Sequence, residues 1–272
     1  MTQQDRLDVF RGRYANKTLT TGGVDWKYRA LGGDSQPLLM LPGAELVNDM
    51  NFDLASALAA RFRIVYPAYP RVQSLEDLAD GAAAILRALR MPRAWVLGTS
   101  FGGAVAQLMV RRHQDAIERV VLSNSGVPLK NLVLGRQLAN AALGLMPWQM
   151  LGRTLARKTV ELLRAPAAEQ PFWQHYARQL YEEHLTRDDV MTNLRIQLEY
   201  HQRYRFTPQD LANWRGKLFV IEAENDIFSP ARRKALHDVY PQATVHTFRD
   251  AGQAPAVSRP SEYIEVLGRF LS

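Results

Sequence analysis

The stretch VLGTSFGG, residues 96–103, constrains this chain more than any other. An apolar run, AWVLG (94–98), leads into it, and AVAQLMVRRH (104–113) leads out with Ala104, Val105, Leu108 and Met109 on one helical face. Strand and helix are therefore joined by a reversal only a few residues long. Such a turn leaves no room for side chains beside Ser100, which accounts for Gly98 and Gly102. It also lifts the Ser100 hydroxyl to the N-terminus of a helix, where free backbone N–H groups favour negative charge. A strand ending in this way, with a helix packing back on it, is half of a parallel crossover unit.

The same alternation runs through most of the chain. The segments YANKTLTT and VDWKYRAL, with TGG between them, read as an antiparallel hairpin. PLLMLPG (37–43) reads as a buried strand ending in a turn, a helix follows at about 51–61, and FRIVYPAYP (62–70) is a strand stopped by prolines. Ser74 is placed as an N-cap with Asp77 three residues on, and Leu75, Leu78, Ala82, Ile85 and Leu89 mark a core-facing helix. RVVLSNSG (119–126) is a further strand. The rhythm then breaks, and residues 127–210 read as amphipathic helices interrupted near Pro147 and Pro166. It resumes with the strand GKLFVIEAEND, the helix PARRKALHDVY, the strand ATVHTF and a last helix from about 260. The expected organisation is an α/β core of residues 1–126 and 211–272, with 127–210 as a helical lid.

Composition narrows the functional classes. The 272 residues are 47% hydrophobic, enough for a sizeable core. No apolar run approaches the ~20 residues that cross a bilayer, and the polar N-terminus lacks a signal-peptide pattern, so a cytoplasmic location is expected. The absence of cysteine excludes disulfides, thiolate metal sites and a cysteine nucleophile. The net charge of +7 is scattered, with no nucleic-acid-binding motif, and reads as a solvated basic surface. An acyl-carrier or other protein partner is the remaining use for it. No dinucleotide fingerprint, P-loop or metal-ligand spacing is present, so no cofactor and no metal is expected.

Gly98-Thr99-Ser100-Phe101-Gly102, between its strand and helix, resembles the nucleophile elbow of the α/β-hydrolase fold, and the resemblance extends from PLLMLPG to the C-terminus. It implies a mostly parallel twisted sheet with helices on both faces and a helical lid. It implies Ser100 as nucleophile, the N–H groups of Ala44 and Phe101 as the oxyanion hole, and Asp226, after the strand that follows the insert, as the acid. Pro42-Gly43 stands where the family has a His-Gly pair, but the donors are main-chain groups. Gly43, Glu45 and Trp148 are placed around the substrate. The apolar stripe Leu132, Leu134, Leu143, Leu145, Met146, Trp148, Met150 and Leu151 implies a hydrophobic acyl or aromatic ligand, presented as an ester or thioester.

One position departs from the family. The loop DAGQAP carries Gln253 where the resemblance puts the base histidine. Glutamine does not titrate near neutral pH, although its carbonyl is able to accept from Ser100 while its amide donates to Asp226. Loss of the base from a serine hydrolase costs about 10⁶ in turnover, roughly 8 kcal/mol of barrier. The lid histidines His175, His184 and His201, or Glu45, are candidate substitutes. GTSFGG, VYPAYP and the non-histidine base position are also similar to maspardin-like, non-catalytic members. Three readings stay open: a pseudo-hydrolase that binds a ligand or partner, chemistry that needs no histidine, or a glutamine placed into a working hydrolase.

Overall fold

The computed structural model describes residues 1–271. The chain opens with helix α1 (Gln3–Arg13), then the hairpin β1 (Lys17–Thr21) and β2 (Val24–Leu31). Next come β3 (Gln36–Leu41), α2 (Phe52–Leu58), β4 (Phe62–Pro67), α3 (Leu75–Ala88), β5 (Ala94–Thr99), α4 (Phe101–Arg112) and β6 (Ile117–Ser123). Between β6 and the next strand lie four helices, α5 (Val133–Leu145), α6 (Trp148–Leu163), α7 (Gln170–Gln179) and α8 (Arg187–Arg203). The sheet is completed by β7 (Lys217–Ala223), α9 (Pro230–Val239), β8 (Thr244–Phe248), α10 (Pro255–Ser258) and α11 (Pro260–Phe270).

The eight strands lie in the order β1-β2-β4-β3-β5-β6-β7-β8. β1 and β2 run antiparallel to their neighbours, and every pair from β4 to β8 is parallel. The alternation of each strand divides the core between two faces. Leu39, Leu41, Val65, Val96 and Val220 pack with α3 and α4. Leu38, Met40, Ile64, Tyr66, Phe219 and Ile221 pack with α1, α2 and α11. The order of connections reverses between β3 and β5, and the turns after these two strands lie side by side at the carboxyl edge, where ligands bind in such sheets.

The hairpin, the parallel strands and the helices after β3 fall where the sequence pattern puts them. Ser74 caps α3 as expected, its side chain accepting the Asp77 N–H while Asp77 accepts the Ser74 N–H. Helix α1 is an addition. Its N-terminus is closed by the same reciprocal bonds between Thr2 and Asp5. Only Leu7 and Phe10 of α1 are buried, too few apolar positions to show a helical period. Contact with α2 holds it, through an Arg6–Asp53 ion pair at 3.0 Å and the rings of Phe10 and Phe52. Among the described residues no helix is long and apolar enough to cross a membrane.

The elbow and β3 are interlocked at Gly102. A Cβ there would lie 2.3 Å from the Leu41 carbonyl oxygen and 2.5 Å from that of Pro42, both backbone atoms that cannot swing aside. We expect Gly102→Ala to lower unfolding free energy by about 1–3 kcal/mol or more. Gly12→Ala, with nothing within 4 Å of the new carbon, should be neutral or slightly stabilising. Urea unfolding of both variants checks this contrast.

Candidate active site

Ser100 adopts φ 52° and ψ −113° at the head of α4. A residue with a side chain held there carries strain of about 1–3 kcal/mol. The surroundings impose it. The Ser100 N–H donates to the Ser123 carbonyl at 2.9 Å, and the Gly103 N–H donates to the Ser100 carbonyl at 3.0 Å. A Cβ at Gly98 would lie 2.4 Å from the Gly102 carbonyl oxygen. Both glycines singled out in the sequence are thus required by close backbone approach. The Phe101 N–H opens α4 and has no partner within the helix.

The chain expected to link serine, glutamine and acid is not formed. Gln253 is buried, its Nε2 donating to the Asn124 carbonyl at 2.9 Å and its Oε1 accepting the Ile227 N–H at 3.3 Å. Asp226 turns to other partners. Its Oδ1 accepts from the Phe228 N–H at 2.8 Å and from Arg233 at 3.0 Å, and its Oδ2 lies 3.3 Å from Asn124 Nδ2. A guanidinium offers the carboxylate a charge-assisted bond that a neutral amide cannot match. Burial pushes the Asp226 carboxyl above its ordinary range, while the Phe228 and Ala223 N–H groups and Arg233 pull the other way. Asn124, at φ 45° and 1% exposed, joins the two loops by also donating to the Gly252 carbonyl at 3.3 Å. Neither Asn124 nor Arg233 was singled out in the sequence. The sequence pattern carried a strand through SNSG to residue 126, whereas β6 ends at Ser123 and Asn124 begins the turn.

The turn after β3 presents Ala44 at the surface, and its carbonyl accepts from Asn193 Nδ2 at 3.1 Å, tying α8 to this turn. Glu45 folds back so that its Oε1 accepts the Gly43 N–H at 2.9 Å. Burial raises the Glu45 carboxyl above its ordinary range, the bonds from the Glu45 and Gly43 N–H groups oppose this, and the Asp49 charge adds to the rise.

A cavity of about 80 Å³ opens beside Ser100. Phe101, Ala104, Val127, Ile227 and Phe228 form its apolar wall, and Ser125, Arg136, Gln197, His201 and Arg232 its polar one. The insert's apolar stripe does not line this cavity. Leu134, Leu145 and Met150 are exposed, and Trp148 packs with Leu151 on the cluster around α2 and α7. Periodicity located the stripe but not the direction in which each helix faces: α5 turns Arg136 and Asn140 inward and Leu134, Leu138 and Leu145 outward. A larger groove of about 1180 Å³, among Arg153, Arg157, Arg178 and Arg259, does not reach Ser100.

The alpha/beta hydrolase family profile matches residues 38–266, a span that holds Ser100, Asp226 and Gln253. The chain belongs to the alpha/beta hydrolase family. A crystal structure of a hydrolase from Pseudomonas aeruginosa superposes with a TM-score of 0.80 at 19% identity, covering 95% of this chain and 98% of that one. The enol-lactonase of Burkholderia xenovorans gives 0.76 at 18% identity, over 94% and 99% of the two chains. The esterase RhEst1 of a Rhodococcus species also gives 0.76, at 19% identity over 94% and 98%. An uncharacterized protein of Mycobacterium tuberculosis, Rv2715, is 20% identical over 79% of this chain and 69% of its own length. At these identities the structural likeness is one of fold.

Of the histidines in this member of the alpha/beta hydrolase family, His201 alone lines the Ser100 cavity. His113 is paired with Asp80 and His237 with Glu222, while His175 and His184 are exposed. His201 is 4% exposed, and its Nδ1 accepts the Leu129 N–H at 3.0 Å. The neutral ring therefore carries its proton on Nε2 and has no lone pair to offer a serine hydroxyl. Burial, reinforced by the charges of Arg136, Arg232 and Arg205, lowers its pKa from 6.5 to about 3.

This depression makes stability depend on pH with a defined sign. Below 6.5 the unfolded chain binds a proton that the folded chain refuses until about 3. Stability from this group is therefore intact above 6.5 and falls by roughly 1.4 kcal/mol per unit as pH drops toward 3. We expect the stability difference between the natural chain and His201→Asn to narrow by about 2 kcal/mol between neutral pH and about pH 5. Urea unfolding at the two pH values measures it.

Proposed function

We propose that this chain is a serine-type acyl hydrolase that works without a histidine base and is slow in consequence. The observation that carries this reading is Ser100, held in a strained conformation at a helix N-terminus beside a cavity. Ser100 Oγ attacks the carbonyl carbon of an ester or thioester. The developing oxyanion lies against the N–H groups of Ala44 and Phe101, the leaving alcohol or thiol departs, and water then frees the acyl group. Residues 127–210 act as the lid. Asp226 and Gln253 serve to join the loops after β6, β7 and β8, and the proton of Ser100 passes to hydroxide in solution. The oxyanion hole and binding alone leave ~10³–10⁴ over the reaction in water.

A second reading, a non-catalytic hydrolase-fold protein that binds its ligand at the same place, is favoured by one observation. Gln253 and Asp226 both have their hydrogen-bonding capacity met away from Ser100.

Covalent labelling by a fluorophosphonate separates the two. On the hydrolase reading, labelling is slow at neutral pH, is abolished in Ser100→Ala, and rises about tenfold per pH unit with hydroxide. Gln253→His should raise the neutral rate by at least ~10² and bring a plateau above the histidine pKa. A plateau near neutral pH in the unaltered chain would instead reveal a substitute base, with Glu45 the first to test. No labelling in either form would leave the binding reading.

A further inference from the structure

Two guanidinium-bearing side chains line the Ser100 cavity from different helices, Arg136 from α5 and Arg232 from α9. Both are half-buried. Several other half-buried arginines find carboxylates: Arg11 has Asp49 at 2.8 Å, Arg111 has Asp210 at 2.9 Å and Arg233 has Asp226 at 3.0 Å. Arg136 and Arg232 have none. Arg136 only approaches the neutral Gln197 Oε1 at 3.4 Å, and Arg232 only the Ile227 carbonyl at 3.4 Å. The carboxylate that acts on Arg232, Asp226, is already bonded to Arg233.

The rest of the cavity is arranged to the same effect. Ser125 lines the cavity and is 6% exposed, and its buried hydroxyl has no hydrogen-bond partner. His201 is held neutral with its donor proton on Nε2, so it adds a donor without adding a third charge. Arg232 lies over the Phe228 ring, 4.4 Å from its centroid, which fixes the plane of its fork. Two like charges gathered in one cavity are unfavourable for the empty protein: burial lowers the pKa of both guanidiniums, and the charge of Arg232 lowers that of Arg136 further, while Asp226 offsets only part of the shift at Arg232. An anion placed between them removes that penalty.

We infer that the cavity beside Ser100 binds a carboxylate, held by Arg136 and Arg232 with Ser125 as a further donor. The inference rests on the acyl-site reading in one respect. If Ser100 attacks the bound molecule, the substrate is an ester or thioester of a short dicarboxylic acid, its free carboxylate seated between the arginines and its acyl carbonyl at Ser100. The small volume fits the charged end alone. About 80 Å³ holds only a few non-hydrogen atoms, taking ~30 Å³ as the share of one water, which is enough for a carboxylate group and not for the whole ester. A planar carboxylate suits two guanidinium forks better than a long apolar chain suits this wall. That replaces the hydrophobic ligand implied by the apolar stripe.

The test uses the full chain carrying Ser100→Ala, so that binding is read without turnover. Monomethyl succinate and its uncharged counterpart methyl butyrate are titrated by NMR line broadening. The expected result is a preference of tenfold or more for the charged ligand, weakening as salt is raised. Arg136→Gln and Arg232→Gln should each remove most of it. Lysine at either position should restore it only in part, because the charge returns without the fork. Circular dichroism establishes that each variant is folded. Equal binding of the two ligands, or a preference that survives the double Arg136→Gln, Arg232→Gln variant, would overturn the inference. So would inorganic phosphate displacing monomethyl succinate at equal concentration, which would mark a general anion site. The preference is measured in a chain unable to form an acyl-enzyme. A failed labelling experiment with a retained preference therefore removes the hydrolase and leaves the carboxylate site, and the reverse outcome is equally distinct.

Discussion

The backbone reversal at Ser100 is the constraint on which the rest of this molecule depends. Three strands meet in it. The Ser100 N–H is bonded to the end of β6, Gly102 lies against the last carbonyls of β3, and Gly98 ends β5 under the first turn of α4. A strained conformation persists only when its surroundings over-determine it. Here the two strands flanking the topological switch and the strand beyond it all do so. The sheet order, the glycine positions and the placing of Ser100 beside the cavity are one solution to one packing problem.

Around that fixed point the loops are joined by polar bonds that do not pass through the serine. Asn124 contacts the loops after β7 and β8 at once, through Asp226 and the Gly252 carbonyl, and Gln253 returns the connection to the Asn124 carbonyl. Arg233 supplies the charge that Asp226 needs. An arrangement that activates a serine leaves the acid free to orient a base. In this chain the same carboxylate is spent on holding an arginine and an asparagine. The strained serine persists while the relay to it is absent, and that contrast underlies both readings of the function.

What the sequence makes legible follows the range over which each cause acts. The elbow is local, so Gly98, Ser100 and Gly102 reveal it. The strands are local too, since short continuous apolar runs ended by turn residues, as in PLLMLPG or KLFVIEA, are recognisable without knowledge of neighbours. Helix α1 escapes notice because two buried residues in eleven make no period. The partners of Asp226 escape because Arg233 lies on a helix in the run ARRK, which looks like ordinary surface until α9 is placed beside β7. The lining of the cavity escapes for a related reason. Spacing finds the stripe on α5 but cannot say that Leu134, Leu138 and Leu145 face outward while Arg136 faces in.

Helix α5 has a consequence for how anything enters the site. None of its residues is buried. Polar ties hold it instead, from Asn140 to the Leu194 carbonyl at 3.0 Å and from Arg187 to the Met146 carbonyl at 2.6 Å. Releasing it exposes little additional apolar surface, so its opening belongs to the low end of the free-energy range for local unfolding. Its amides should exchange with solvent hydrogen far sooner than those of α3 or α4. Because Arg136 rides on this helix, occupancy of the cavity and closure of α5 are linked equilibria. A ligand that bridges to Arg232 would register as slowed exchange across a helix that it touches at one residue.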